Sequence, residues 1–286
     1  MSAEIVQAPA KINLFLEVFP RPPEARLHPV DTVLEKVDLC DLVRLEVTPG
    51  RIELECNLPE LANQENLAWR AAVLLKERFS VRAGVRIGLE KRIPLQAGLG
   101  GGSSDAAAVL LTLNRLWALQ LPRSELDGLA LELGSDVPAF LEPGRCRATG
   151  YGQQVAPLPF KSRWNYLLFL TGIAISTGEA YREIDNLTYL PASSKIILRG
   201  VELDDFSGVS KGLFNRFEEV ALSTRDEVKR FKEEIDRFYP HNLLCGSGGA
   251  FFALVKEAEA GETGNIQRLS QRLRCRIVSV TGIRGS

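Results

Sequence analysis

The sequence predicts an α+β fold, and three observations carry that prediction. Short apolar or alternating stretches, such as Val85-Ile87-Leu89 and residues 165–170, read as strands. Longer stretches with apolar residues three and four apart, such as 66–79 and 105–118, read as helices. The two kinds follow one another without the strict β-α-β alternation of a doubly wound sheet.

Along the chain, residues 5–18 contain KINLFLEV, a buried strand, and four prolines make 20–29 a loop. Leu39 to Val47 and Arg51 to Cys56 read as strands joined by the Pro49-Gly50 turn. Asn66 to Phe79 is a helix with Leu67, Ala71, Leu74 and Leu75 on one face. After the strand at 85–89 comes a glycine run, then a helix from Asp105 to Ala118. Ser124 is placed to cap a helix over Leu126–Leu133, which Gly134 stops. The glycine- and proline-rich stretch 146–160 marks a soft domain boundary. Beyond it lie a strand at 165–170, a helix near Glu179, helices over 211–222 and 224–237, two strands flanking Gly246–Gly249, a helix at 265–273 and a strand at 276–281.

Bulk properties narrow the function. The chain has 286 residues, 45% hydrophobic and 25% charged, with a formal net charge of -1. That balance gives no reason to expect nucleic acid or an anionic membrane as partner. The five cysteines have no CxxC spacing, so neither a zinc site nor a disulfide framework is expected. No apolar run is long enough for a membrane span and no export pattern opens the sequence, so a reduced, cytoplasmic protein is expected.

The informative stretch is PLQAGLGGGSSDAAA, residues 94–108. Glycine costs roughly 0.5–1 kcal/mol against alanine in regular structure, yet Gly98, Gly100, Gly101 and Gly102 crowd the start of a helix. A helix start carries unpaired amides and about half a positive charge. Glycines let a phosphate reach those amides, and Ser103 and Ser104 add hydroxyl donors. The spelling excludes two familiar phosphate loops: no lysine follows as in GxxxxGK[ST], and Ser103 stands where GxGxxG needs its third glycine.

This string resembles the second motif of the GHMP small-molecule kinases. Further matches follow in order: APAKINLFLEV (8–18), NLAWRAAVLL (66–75), LGSDVPAFL (133–141), ISTGEAYR (175–182), FNRFEEVA (214–221) and CGSGGAFFAL (245–254). The resemblance covers nearly the whole chain. It implies a two-domain GHMP kinase fold: a ribosomal-protein-like N-terminal ATP-binding domain, 1–157, with a left-handed βαβ unit, and a ferredoxin-like C-terminal domain, 158–286. The GLGGGSS-D-AA spelling resembles the branch that phosphorylates a cytidine diphosphate alcohol in non-mevalonate isoprenoid synthesis.

By that resemblance Pro94, Gly98, Leu99, Gly100, Gly101, Gly102, Ser103 and Ser104 cradle the ATP phosphates, with Asn66 and Lys91 near adenine. Asp136 is the catalytic base and Lys11 sits beside it. Asn13 fixes the substrate, Tyr181 stacks on cytosine, and His28 contacts the cytosine edge. Gly246, Ser247, Gly248 and Gly249 form a second glycine wall. Mg2+ accompanies ATP; its protein ligands stay unassigned, with Ser104 a candidate. The implied partner is a small-molecule alcohol, and the chain is a monomer or homodimer.

The residues themselves leave plainer alternatives open. Asp136 also fits a helix cap, Tyr181 a core tyrosine, His28 a solvated loop residue, and Gly246–Gly249 a tight turn. Lys11, flanked by Ala10, Ile12, Leu14 and Leu16, is a charge that needs a partner. Two positions depart from the family pattern: Leu27 replaces a tyrosine, and Arg216 an acid. Both fall on the acceptor side. Another GHMP kinase, of a sugar or a mevalonate-like alcohol, and a non-catalytic ATP-binding sensor therefore stay open, with a dinucleotide oxidoreductase a distant fourth.

Overall fold

A computed structural model of the chain describes residues 3–185, 190–261 and 263–284. The first half contains β1 (Ala3–Val18), β2 (Val30–Pro49), β3 (Ile52–Cys56), α1 (Leu67–Arg78), β4 (Ala83–Glu90), α2 (Gly101–Leu116), α3 (Arg123–Leu133) and α4 (Val137–Leu141). Next come β5 (Cys146–Gly150), β6 (Gln154–Pro157), β7 (Asn165–Leu170), α5 (Thr177–Ile184), α6 (Lys195–Leu203) and α7 (Phe206–Gly212). The chain then forms β8 (Phe214–Asn215), α8 (Arg216–Thr224), α9 (Asp226–Asp236), β9 (Asn242–Leu244), β10 (Ala250–Val255), α10 (Glu257–Ala260), α11 (Thr263–Leu273) and β11 (Arg276–Thr281). The expected α+β class holds. Among the described residues no helix is long and apolar enough to cross a membrane, and no disulfide is present.

Two compact units interleave along the sequence. One comprises Met1–Ala10, Leu39–Pro94 and Gly100–Glu142; the other comprises Lys11–Asp38, Leu95–Leu99 and Pro143–Ser286. In the first, β4 pairs antiparallel with β2 from Leu42↔Glu90 to Pro49↔Ala83, and parallel with β3. Pro49-Gly50 therefore joins β2 to β3 without pairing them, because β4 lies between. β3, α1 and β4 form a parallel β-α-β unit. Val43, Leu45, Val85 and Ile87 pack with Ala71 and Leu75 of α1 and Val109, Leu110 and Leu113 of α2, all fully buried.

In the second unit, β5 pairs with β6 and with Val30–Leu34 of β2. A four-stranded antiparallel sheet follows the order β11-β7-β10-β9. That order, with the first strand between the last and the third, belongs to a β-α-β-β-α-β unit. Phe169, Phe251 and Leu244 of this sheet pack with Phe217 and Val220 of α8.

Several local expectations shift. β2 begins at Val30 rather than Leu39. α2 begins at Gly101, so two glycines form its first turn instead of preceding it. α3 begins at Arg123 behind Pro122, and Ser124 lies inside the helix with no side chain capping it. The soft boundary at 146–160 is the β5-β6 hairpin. α6 and α7 fill a stretch given no helix before residue 211, and the helices expected at 211–222 and 224–237 are α8 and α9.

Candidate active site

The head of α2 has no side-chain cap. Gly100, its N-cap, has φ of 71° and offers no side chain, so no capping hydrogen bond is made. The first internal bond runs from Ser104 N to Gly100 O, at 3.0 Å. Gly102 is exposed, and a Cβ there would find its nearest neighbour, Leu67 Cδ1, only at 3.8 Å. Ser104 is buried, and its Oγ has no hydrogen-bond partner among the described residues. Uncapped amides at a helix start attract phosphate, and the N-cap supplies no side-chain cap to them.

Gly98 serves a different need. A Cβ at this position would lie 1.8 Å from the carbonyl oxygen of Cys245. Its missing side chain thus admits protein backbone, not a phosphate. The partner is the turn at Gly246–Gly249, where Gly248 N donates to Cys245 O at 2.9 Å and Ala250 N to Ala97 O at 3.2 Å. Asn215, from the FNRFEEVA motif, braces this turn by donating to the carbonyls of Leu244 and Gly246, both at 2.8 Å. Ser247 Oγ lies 2.8 Å from Thr177 Oγ1 at the start of α5.

Lys11 is buried on β1 and its backbone amide donates to Leu99 O at 3.0 Å. Its Nζ donates to Asn13 Oδ1 at 2.7 Å, and Asn13 Nδ2 donates to Thr32 Oγ1 at 2.9 Å. Lys11 and Asn13 share a strand face because they are two residues apart. A Cβ on Gly246 would lie 3.0 Å from Lys11 Nζ, so the ammonium borders the second glycine turn. Burial pushes the neighbouring Cys245 thiol up to about 12, although the Lys11 charge works the other way.

His28 and Tyr181 meet. Their ring centroids are 5.1 Å apart at 31°, and Phe217 packs edge-on to Tyr181 at 4.9 Å. His28 Nδ1 lies 3.0 Å from Phe19 O, and a carbonyl only accepts, so Nδ1 carries the proton. His28 Nε2 lies 3.6 Å from Asp185. Leu27 is 54% exposed. Arg216 is buried, with Nε and Nη2 donating to Glu17 at 2.8 and 2.7 Å and Nη2 to Leu190 O at 2.8 Å. The departure at 216 is thus a structural ion pair.

Asp136 stands at the N-cap position of α4, exposed, and makes no capping hydrogen bond to that helix. The cap alternative therefore does not account for it. Asn66, in contrast, caps α1: its Oδ1 accepts from Ala68 N at 2.9 Å and its Nδ2 donates to Leu61 O at 2.9 Å. Pro94 is half-buried in the chain leaving β4.

Residues 66–144 match the GHMP kinases N terminal domain. A 4-diphosphocytidyl-2-C-methyl-D-erythritol kinase from Brevibacillus brevis is 39% identical over 272 residues, which is 92% of this chain and 91% of the relative. The chain belongs to the GHMP kinase family. A relative of the same name from Exiguobacterium sibiricum is 37% identical over 286 residues, covering 98% of each chain. A crystal structure of 4-(cytidine 5'-diphospho)-2C-methyl-D-erythritol kinase superposes with a TM-score of 0.79 at 33% identity, covering 99% of this chain and 100% of the other. Homoserine kinase from Cytophaga hutchinsonii shares the fold, with a TM-score of 0.76 at 17% identity over 100% and 96% of the chains. This GHMP kinase is accordingly an ATP-dependent small-molecule kinase.

One further group of the kinase is an ion-pair cluster around Lys91. The Lys91 ammonium, expected near adenine, is turned inward to Asp41 and Asp105, with the Asp105 contact at 2.5 Å. Its backbone is held as well: Asn57 Oδ1 accepts from Lys91 N at 2.8 Å and Asn57 Nδ2 donates to Lys91 O at 3.1 Å. Burial works against the ammonium, but Asp105 and Asp41 outweigh it and raise its pKa. Asp105 rises to about 7, through burial first, with Lys91 opposing and Asp41 adding to the rise. Asp41, Asn57 and Asp105 escaped the sequence reading. The available signal was a carboxylate inside the apolar run DAAAVLLTL, which demands a buried partner.

Proposed function

We propose that this kinase transfers the terminal phosphoryl group of ATP to the 2-hydroxyl of 4-diphosphocytidyl-2-C-methyl-D-erythritol, in isoprenoid precursor synthesis. The observation that carries the reading is the uncapped head of α2, which offers its amides to a polyanion; the relatives' names select the acceptor. In this reading Gly100–Ser104 hold the phosphates, Asp136 takes the hydroxyl proton, and Lys11 favours the ionised alcohol. The chain works in the cytoplasm, as monomer or homodimer.

Mg2+ fits the residues present. Ser104 Oγ, buried and without a partner among the described residues, is the oxygen that would join its shell together with the phosphates. When bound, it would supply positive charge against the charge that develops on the transferred phosphoryl group. Among the described residues no three His, Cys, Asp or Glu side chains gather to hold a metal on their own. On the acceptor side, Tyr181 stacks on cytosine, the neighbouring His28 contacts its edge, and Asn13 with the Gly246–Gly248 turn fixes the alcohol. Base stacking on such rings is worth about 1–3 kcal/mol. The exposed Leu27 supplies no second ring, and this keeps another alcohol acceptor as the alternative.

The deciding measurement is ADP release with Mg-ATP and a panel of alcohols. Turnover on the cytidine diphosphate alcohol is expected. Turnover confined to sugars or mevalonate-like alcohols overturns the acceptor, and ATP binding without any turnover favours a sensor. In the same assay Asp136→Asn is expected to lower turnover by about 100-fold or more, with ATP affinity within a few-fold. Near-normal turnover removes Asp136 from the base role.

A further inference from the structure

The glycine run is a loop with a neck. Its entry is Lys91–Ile93, at the end of β4, and its exit is Gly101–Asp105, the first turn of α2. Asp41 of β2 fixes the entry: its Oδ1 accepts from the amides of Arg92 at 2.5 Å and Ile93 at 2.8 Å. Asn57 fixes the backbone of Lys91 on both sides. The exit is seated on the same carboxylate, since a Cβ at Gly101 would lie 3.2 Å from Asp41 Oδ2. The Lys91 ammonium joins the two ends, contacting Asp41 and Asp105 at once.

We propose that Lys91, Asp41 and Asp105 form an ionic clasp across this neck, and that Lys91 and Asp105 are thereby positioning residues for the phosphates of the nucleotide. The proposal rests on the reading that the head of α2 binds those phosphates.

Stability alone does not account for the clasp. All three side chains are less than a tenth exposed, and their formal charges sum to -1. Each buried ion costs several kcal/mol in desolvation, and well-packed apolar residues commonly hold such a joint equally well. An ionic joint differs in fixing direction: Lys91 must reach two carboxylates on separate elements. The cost of a loose joint at this place is high, because a misplacement of about 1 Å can cost about 100-fold in rate. The protein also leaves hydrogen-bonding capacity at this end of α2. Ser104 Oγ and Asp105 Oδ1 are adjacent, buried and without partners among the described residues. In this arrangement the Lys91 ammonium is engaged by Asp41 and Asp105.

The test uses the full chain with Asp105→Leu, Asp105→Asn, Lys91→Met and the Lys91→Met/Asp105→Leu double variant. Calorimetry gives the affinities for ATP, GTP and inorganic tripolyphosphate; kinetics gives KM for both substrates; melting gives stability. Asp105→Leu is expected to weaken all three phosphate ligands about tenfold or more, alike, with the acceptor KM unchanged. Asp105→Asn keeps an oxygen for Lys91 and is expected to stay within about threefold of the wild type. The double variant is expected to be no worse than Asp105→Leu, because both changes open the same joint.

If Lys91→Met does not fold, the two Asp105 variants decide. Unchanged phosphate affinity in folded Asp105→Leu, with only a lower melting point, overturns the clasp. A loss for ATP but not for GTP or tripolyphosphate overturns it too, by making Lys91 a base contact. Gly102→Val separates the two levels of the argument. If it leaves tripolyphosphate binding intact, the phosphate reading itself fails; if it weakens binding while Asp105→Leu does not, only the clasp fails.

Discussion

At Asp105 the carboxyl group is pushed from a pKa of 3.8 to about 7 by burial and by Asp41, against the pull of Lys91. The folded chain therefore holds this proton more tightly than the unfolded chain. The stability that the proton confers is complete below 3.8 and is lost as the pH climbs through about 7. Urea denaturation across that window is expected to show wild-type stability falling relative to Asp105→Asn as the pH rises; parallel curves contradict the assignment. Reading these residues from sequence met a definite limit. That Lys11 needs a partner was legible, because it is a lysine in an apolar strand, whereas Asn13 entered only through the family resemblance. Lys91 was not, because its partners lie 50 and 14 residues away and no local spacing encodes them.

α2 shows what an element adds to its residues. Its glycines read alike in sequence but sit in different surroundings. At Gly102 a Cβ would make only an ordinary contact with Leu67 Cδ1, at 3.8 Å, and alanine favours a helix over glycine by about 1 kcal/mol. Gly102→Ala is thus expected to hold or raise the melting temperature while weakening ATP in a titration. At Gly98 the backbone has φ of 74° and a Cβ would overlap Cys245 O. Gly98→Ala is expected to lower the melting temperature instead. Equal melting points for the two variants count against the packing described here. The helix start was misplaced by four residues in the sequence reading because glycine weighs against helix. What starts the helix is the left-handed Gly100, a conformation that composition does not reveal. The strands at 165–170 and 276–281 were legible to the residue, since each is a short stretch of strand-favouring residues that ends close to a glycine.

At the scale of the molecule, Arg145 is the largest fully buried side chain among the described residues. It donates to Glu35 of β2 at 3.1 and 2.9 Å and to Pro159 O at 3.1 Å, and its guanidinium lies 3.8 Å over Trp164. Tyr166 of β7 donates to the same Glu35 at 2.6 Å. Burial raises the Glu35 pKa even with Arg145 opposing it. Arg145→Met leaves that carboxyl group buried without its cation. The expected loss is about 3–5 kcal/mol in chemical denaturation, and the Glu35→Gln/Arg145→Met pair is expected to recover part of it. A loss under about 1 kcal/mol for Arg145→Met places the guanidinium outside the balance that holds this unit together.

The sequence by itself determined the α+β class and the order of its main elements, and it exposed the unusual backbone freedom of residues 98–104. These depend on periodicity and on backbone freedom, which a chain displays locally. Only the tertiary structure decided that Gly98 faces Cys245, that Lys91 is bound to Asp41 and Asp105, and that Arg216 neutralises Glu17. A buried charge is stable only beside its counter-charge, and that partner is chosen by which strands and helices come together.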